Sequence, residues 1–165
     1  MAATRTVREG VIVGLIAYAS VAVFYVGFDL LASRGTLYTV DLLGRAVFRG
    51  LRDPSILQFP IQPDLVAVSL YNALHLVLSL AIGLIVTWLV GYAEAKPART
   101  NWVLVVIIAG FVNTILLVGW LTTAMRPVLP WWSIVVANAL AVVFAATYLM
   151  HTRPGILRRM VPFAR

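Results

Sequence analysis

An all-α integral membrane four-helix bundle, with a short amphipathic surface helix in its long first loop, is the architecture this sequence predicts. Three observations lead there. Hydrophobic residues make up 62% of the 165 positions, against roughly 45–50% in soluble domains. Charged residues make up 12%, about half the usual share of roughly 25%. The apolar residues are also gathered into four long runs. A soluble chain of this size has too high a surface-to-volume ratio to hide so much apolar surface, so lipid must be the solvent over most of it.

The runs extend over Gly10 to Ala32, Leu65 to Tyr92, Trp102 to Met125 and Leu129 to Met150. Each exceeds the roughly 20 residues that carry a helix through about 30 Å of hydrocarbon. Lipid leaves only helices or closed barrels, and barrel strands would alternate in polarity over short segments. The first run follows Arg5 and Arg8 as a signal peptide would. Its apolar core is too long for that and no small-x-small site follows, so it reads as an uncleaved first span of a single transmembrane domain covering 1–165.

Direction follows from the basic residues. The segment before the first span, the second connection and the segment after the fourth span hold eight: Arg5, Arg8, Lys96, Arg99, Arg153, Arg158, Arg159 and Arg165. The first and third connections hold five: Arg34, Arg45, Arg49, Arg52 and Arg126. The positive-inside rule then predicts both chain ends on the cytoplasmic side, in a bacterial cytoplasmic (inner) membrane. Trp131 and Trp132 read as one interfacial belt, with Trp88 and Tyr92 as the other.

The outer connection, 33–64, is far longer than a bundle needs. In its first half Leu42, Leu43, Ala46, Val47 and Leu51 recur at helical spacing, with Arg45, Arg49 and Arg52 on the other side. Thr39 reads as the N-cap and Asp41 as a first-turn acid. The expectation is a helix lying on the membrane surface, its arginines toward headgroups or a partner. In the second half Pro54, Pro60 and Pro63 keep the backbone extended. Ile56, Leu57 and Phe59 then either fold back on the bundle or, with Arg45, Arg49 and Arg52, dock against another protein.

Within the second span Ser69, Asn72, His75, Ser79, Gly83 and Thr87 fall on one face, as Gly14, Tyr18, Ala22, Tyr25 and Asp29 do on the first. Polar groups are costly in lipid, so these faces should turn inward. Ser133, Ala137, Ala141 and Ala145 form a small-residue series that lets another helix approach closely. Counting 1.5 Å per residue places His75, Asn113 and Asn138 about 12–18 Å below the outer helix ends, a level that Tyr18 and Tyr25 bracket and that Asn72 adjoins as part of the same polar layer. Interhelical hydrogen bonding is the favoured reading of this polar layer, and a cofactor or quinone pocket the alternative.

His75 is the only intramembrane histidine. His151 stands about 15–20 Å away along the membrane normal, so the two do not bracket one haem. Haem, chlorophyll or quinone binding would fall to His75 alone, and the favoured expectation is no cofactor. Asp29 is expected to be hydrated near the interface or paired with Arg34. The chain has no cysteine, which excludes thiolate chemistry and disulfides. No metal-ligand spacing, nucleophile–base pair or phosphate loop is present. The net charge of +7 lies at the span ends without interleaved aromatics, which argues against nucleic acid and for lipid headgroups.

The expected function is therefore a non-catalytic accessory subunit of a larger respiratory or photosynthetic membrane complex. Its partners would be the lipid bilayer and other membrane-protein subunits. A redox protein using His75 is the alternative, and a small transporter the third reading.

Overall fold

The computed structural model describes residues 2–56 and 62–155. Among these the chain forms helices α1 (Ala2–Leu31), α2 (Tyr38–Phe48), α3 (Leu65–Ala95), α4 (Thr100–Leu121) and α5 (Trp131–Thr152), and no strand. Four of them, α1, α3, α4 and α5, are long and apolar enough to cross a membrane. They alternate in direction. The start of α1 and the ends of α3 and α5 meet at one end of the bundle (the terminal end), while α2 lies at the other (the loop end).

Local chemistry sets the helix ends. α1 begins at Ala2, well before the expected Gly10, because its first turns carry the polar residues Arg5, Thr6 and Glu9 that bond to other helices. It stops where Arg34 N donates to Asp29 O and Ser33 N to Leu30 O, a C-terminal motif in which Ser33 takes φ 55°, a place usually held by glycine. α3 opens on Asp64, whose carboxylate accepts from Val66 N and Ala67 N at 3.1 and 3.0 Å. α4 ends at Leu121 rather than Met125, a tighter turn at Thr123–Met125 completing the connection. α5 starts after Pro130, whose carbonyl takes the Ser133 hydroxyl at 2.7 Å.

α1 is the hub, packing on both α3 and α5. Its contact with α3 is backbone against backbone. A Cβ at Gly14 would stand 2.6 Å from Leu80 Cα, and one at Gly10 would stand 2.9 Å from Leu84 Cα. From the facing side, a Cβ at Gly83 would collide with Gly14 N and Gly10 O. Ser133, Ala137 and Ala141 are buried on α5, and Ala145 packs against the cluster of Val13, Val90 and Leu149.

α2 lies in the first connection, where a helix was expected, with one correction. Its N-cap is Leu37, which offers no side-chain bond. Thr39 instead lies inside the first turn and donates both its backbone N and its hydroxyl to Asp29, at 2.7 and 2.6 Å. Its arginines also make bonds within the loop end. Arg45 bonds Asp41 and Gln62 O, Arg49 bonds Asp64, and Arg52 bonds Ala46 O and Leu51 O. The apolar side of α2, with Tyr38, Leu42 and Leu43, joins Leu51, Met125 and Leu129 in a buried cluster. Val47 is exposed. Gly44 lets α2 lie directly on α3, since a Cβ there would stand 2.5 Å from Ala67 O. Leu57 and Phe59 lie outside the described residues, as does the side chain of Ile56.

Replacing Gly83 by alanine should destabilise the bundle by about 1–3 kcal/mol, the usual cost of forcing atoms into a filled contact. Detergent-induced unfolding followed by circular dichroism measures this. Unchanged stability would mean that α1 and α3 can separate at no cost.

Candidate functional site

The polar side chains fall into three groups along the α1–α3–α5 seam, one at each end and one between. At the terminal end Arg153, the residue that follows α5, reaches back under α1. Its Nε and Nη2 lie 2.6 and 2.5 Å from Glu9 Oε2, and its Nη1 donates to Glu94 at 2.6 Å. Glu9 Oε1 also accepts from Arg5 Nε at 2.8 Å. Arg5 Nη2 in turn donates to Thr152 O at 2.6 Å. Glu9 and Arg153 are 1% and 5% exposed, so this is a buried pair. Two arginines and two glutamates leave the group neutral, which is the condition for burying charge in this way. Gly91 leaves room for it, a Cβ there standing 3.2 Å from Arg153 Nη1.

At mid-length the layer expected from depth alone is only partly assembled. Tyr18 donates to Asn72 at 3.0 Å, and Asn72 donates to Val68 O on its own helix. His75 sits between two rings, 5.2 Å from Tyr18 and 6.2 Å from Tyr71 between centroids. No hydrogen bond to its ring occurs among the described residues. Tyr25 contacts Ser133 at 3.5 Å. Asn138 bonds Ile134 O, within its own helix, rather than a neighbour. Asn113 does not join the layer at all. It is exposed on α4, because the turn of α4 that packs inward is set by Val103, Ile115 and Gly119. Thr87 Oγ1 is buried without a partner among the described residues.

At the loop end three carboxylates tie α2 down. The Asp29 side chain, 1% exposed, makes no ion pair with the Arg34 guanidinium; it holds Thr39. Arg34 Nη1 donates to Val128 O at 2.6 Å, and its guanidinium lies 5.1 Å from the Tyr38 ring centroid. Asp41 accepts from Arg45 Nε at 2.9 Å and from Asp64 N at 2.8 Å. Asp64 accepts from Arg49 Nε at 2.9 Å. Beside this clamp is an open cleft of about 240 Å³ lined by Arg34, Tyr38, Asp41 and Pro63. The Arg49 guanidinium, then the Ala67 amide, hold the Asp64 carboxyl down at about 2, from an ordinary 3.8.

Sequence reasoning did not anticipate the terminal network. Its residues are far apart in the chain, and periodicity within one span does not relate Glu9 to Arg153. The available signal was scarcity: two of only six acids fall where the first and second spans meet the same side.

The lowered value of Asp64 works in one direction. Its contribution is complete above about 3.8 and disappears as pH falls through about 2. Asn still caps a helix, so Asp64→Asn isolates the bond to Arg49. The melting difference between wild type and this variant in acid-tolerant detergent should be full at pH 5 and mostly gone at pH 2; a difference independent of pH would contradict the ion pair. At the other end, Glu9→Gln should cost up to about 3–5 kcal/mol, because it leaves the buried Arg153 with only the part-exposed Glu94 as counter-charge. Glu9→Leu combined with Arg153→Leu should regain part of that loss, since Glu94 and Arg5, with side chains 41% and 55% exposed, can turn to water. A double variant worse than the single one would show that the charges themselves stabilise the bundle.

No family model matches the chain, and no curated protein or solved structure matches it.

Proposed function

We propose that the chain is a non-catalytic subunit of a larger respiratory or photosynthetic membrane complex. The proposed location is the bacterial cytoplasmic membrane, with both chain ends on the cytoplasmic side. The observation that carries this reading is what the carboxylates do. Each of the six acidic residues in the chain is taken up in holding structure together. Glu9 and Glu94 bind Arg153; Asp29 holds Thr39; Asp41 binds Arg45 of α2 and Asp64 binds Arg49 just after it; Asp53 accepts from Ser55 N. Membrane enzymes and transporters keep ionisable groups for protons, ions or substrates. Here those groups are committed to joining helices. Orientation rests on the eight-to-five basic asymmetry, and the proline-rich segment around Leu57 and Phe59 is the proposed soluble contact.

His75 supports a second reading, a redox protein holding a haem, chlorophyll or quinone. Its ring lies between Tyr18 and Tyr71, with nitrogens that no described residue bonds. The same preparation separates the two. Purified in mild detergent from its native membrane, the chain should bring partner subunits with it and show no pigment band of its own. The pair Leu57→Ser and Phe59→Ser should insert normally yet recover fewer partners, and tags at either chain end should be reached from the cytoplasmic side alone. A lone, stable chain would end the subunit reading. A Soret or chlorophyll band lost in His75→Leu would establish the redox reading in its place.

A further inference from the structure

α4 is the most loosely attached of the four long helices. Near the terminal end Val103 packs among Leu89 and Ala93. Near the loop end Gly119 meets Trp131, a Cβ there standing 2.9 Å from Trp131 Nε1. Between these attachments one side of α4 is exposed, and Asn113 lies on it. The helix rise places Asn113 within about 4 Å of the midpoint of α4, the depth at which a polar group is most costly. Its amide makes no hydrogen bond among the described residues. Other polar side chains of the long helices solve the same problem locally. Ser20, Thr114 and Thr147 return their hydroxyls to Ile16 O, Gly110 O and Val143 O.

The surroundings of Asn113 fit a second helix. Trp102, Val106, Ala109, Asn113, Leu116 and Trp120 recur at alternating spacings of four and three, the seam of a coiled-coil pair; all are exposed but Val106, which is half-buried at the edge of the cluster of Leu89, Ala93 and Val103. A single Asn in such a seam sets register and the number of strands. Gly110 beside it has nothing within 4 Å of where a Cβ would stand, so another backbone can come close.

We propose that this face of α4 docks a second copy of the chain, forming a two-fold dimer in which the two Asn113 amides bond each other. Copies inserted with one topology are related by an axis along the membrane normal. Their α4 helices then run parallel, and a residue on the axis meets its own twin. A primary amide is its own complement, offering an N–H donor and a C=O acceptor in one group. A different partner would have to bring a matching group that nothing in this chain specifies; symmetry supplies it at once. The proposal goes beyond the subunit reading and does not rest on it.

The absence of cysteine makes the test direct, because each introduced thiol reports one position. The full chain is reconstituted in phosphatidylcholine vesicles over a range of protein-to-lipid ratios. Ala109→Cys and Leu116→Cys should form disulfide-linked dimers on mild oxidation, and Ile108→Cys, on another side of α4, should not. In energy transfer between labelled copies, Asn113→Leu should weaken association about 3- to 30-fold, the range seen for interhelical polar contacts, while Asn113→Gln retains most of it. A chain that stays monomeric at every ratio overturns the proposal. So does cross-linking at Ile108 equal to that at Ala109, or association unchanged in Asn113→Leu. In native membranes, cross-linking of Ala109→Cys to a different protein with no self-linked product would assign the face to that protein and equally overturn it.

Discussion

The approach of α1 to α3 at Gly10, Gly14 and Gly83 is the contact on which the other features depend. Lipid offers helices no hydrophobic reason to associate, so van der Waals contact and hydrogen bonds must hold them. Three positions without Cβ atoms let two backbones touch, and that contact allows only one register. The register that sets Gly14 against Leu80 also brings Tyr18, one turn further along α1, beside Asn72 and His75. In the other direction it carries Thr6 toward Gly91, where Arg153 enters. The polar seam follows from the glycine contact rather than causing it. Single polar bonds of about 0.6–2 kcal/mol would not position helices this long, but once positioned the helices give each polar group a fixed neighbour.

The two ends of the bundle use charge in opposite ways. At the terminal end the pair of Glu9 and Arg153 is buried, so its desolvation is severe and is offset only because two oxygens and three nitrogens are all directed at partners. Such a group adds little net stability but excludes any arrangement that separates its members. Arg153 is also well placed at the end of α5, where the helix dipole favours a cation. At the loop end the pairs of Arg45 and Arg49 are more exposed and therefore weaker. The exception is Asp29, a buried carboxylate whose bond to Thr39 N supplies from another helix the capping that Leu37 does not. That one side chain fixes where α2 starts, and Gly44 on Ala67 fixes how it lies.

The spans were legible because hydropathy is a local property, and α2 because its leucines repeat at helical spacing. What stayed hidden was relational. Depth arithmetic placed Asn113 and His75 in one layer, but rise says nothing about rotation about the helix axis. The contacts at Val103, Ile115 and Gly119 that decide that rotation exist only in the folded bundle. Thr39 had the composition of an N-cap, yet its own backbone N–H and its hydroxyl both donate to a carboxylate ten positions earlier, which places it inside the first turn. Arg49 looked like a headgroup ligand because nothing near it in the sequence showed that Asp64 would stand within reach. The Gly10-x-x-x-Gly14 spacing, by contrast, was visible in the sequence. It continues the face traced through Gly14, Tyr18 and Asp29 by one more turn toward the start of the helix, among residues that the hydropathy boundary at Gly10 had left at the edge.

α4 brings these constraints together. Its attachment at two ends with little between is what a helix does when its neighbours are already committed, α1 binding α3 closely and α5 along its small residues. An apolar side chain at position 113 would suit a helix whose middle faces only hydrocarbon, since an unbonded amide in that position is a net cost. Asn113 is therefore a cost without return inside one copy, in contrast to Asn72, which bonds Tyr18, and Asn138, which bonds its own helix. The same rule that explains the buried ions at the terminal end applies to it: a polar group in a medium without water is tolerated where its partners are supplied. For Asn113 the described part of the chain supplies none, and a symmetric copy supplies both a donor and an acceptor.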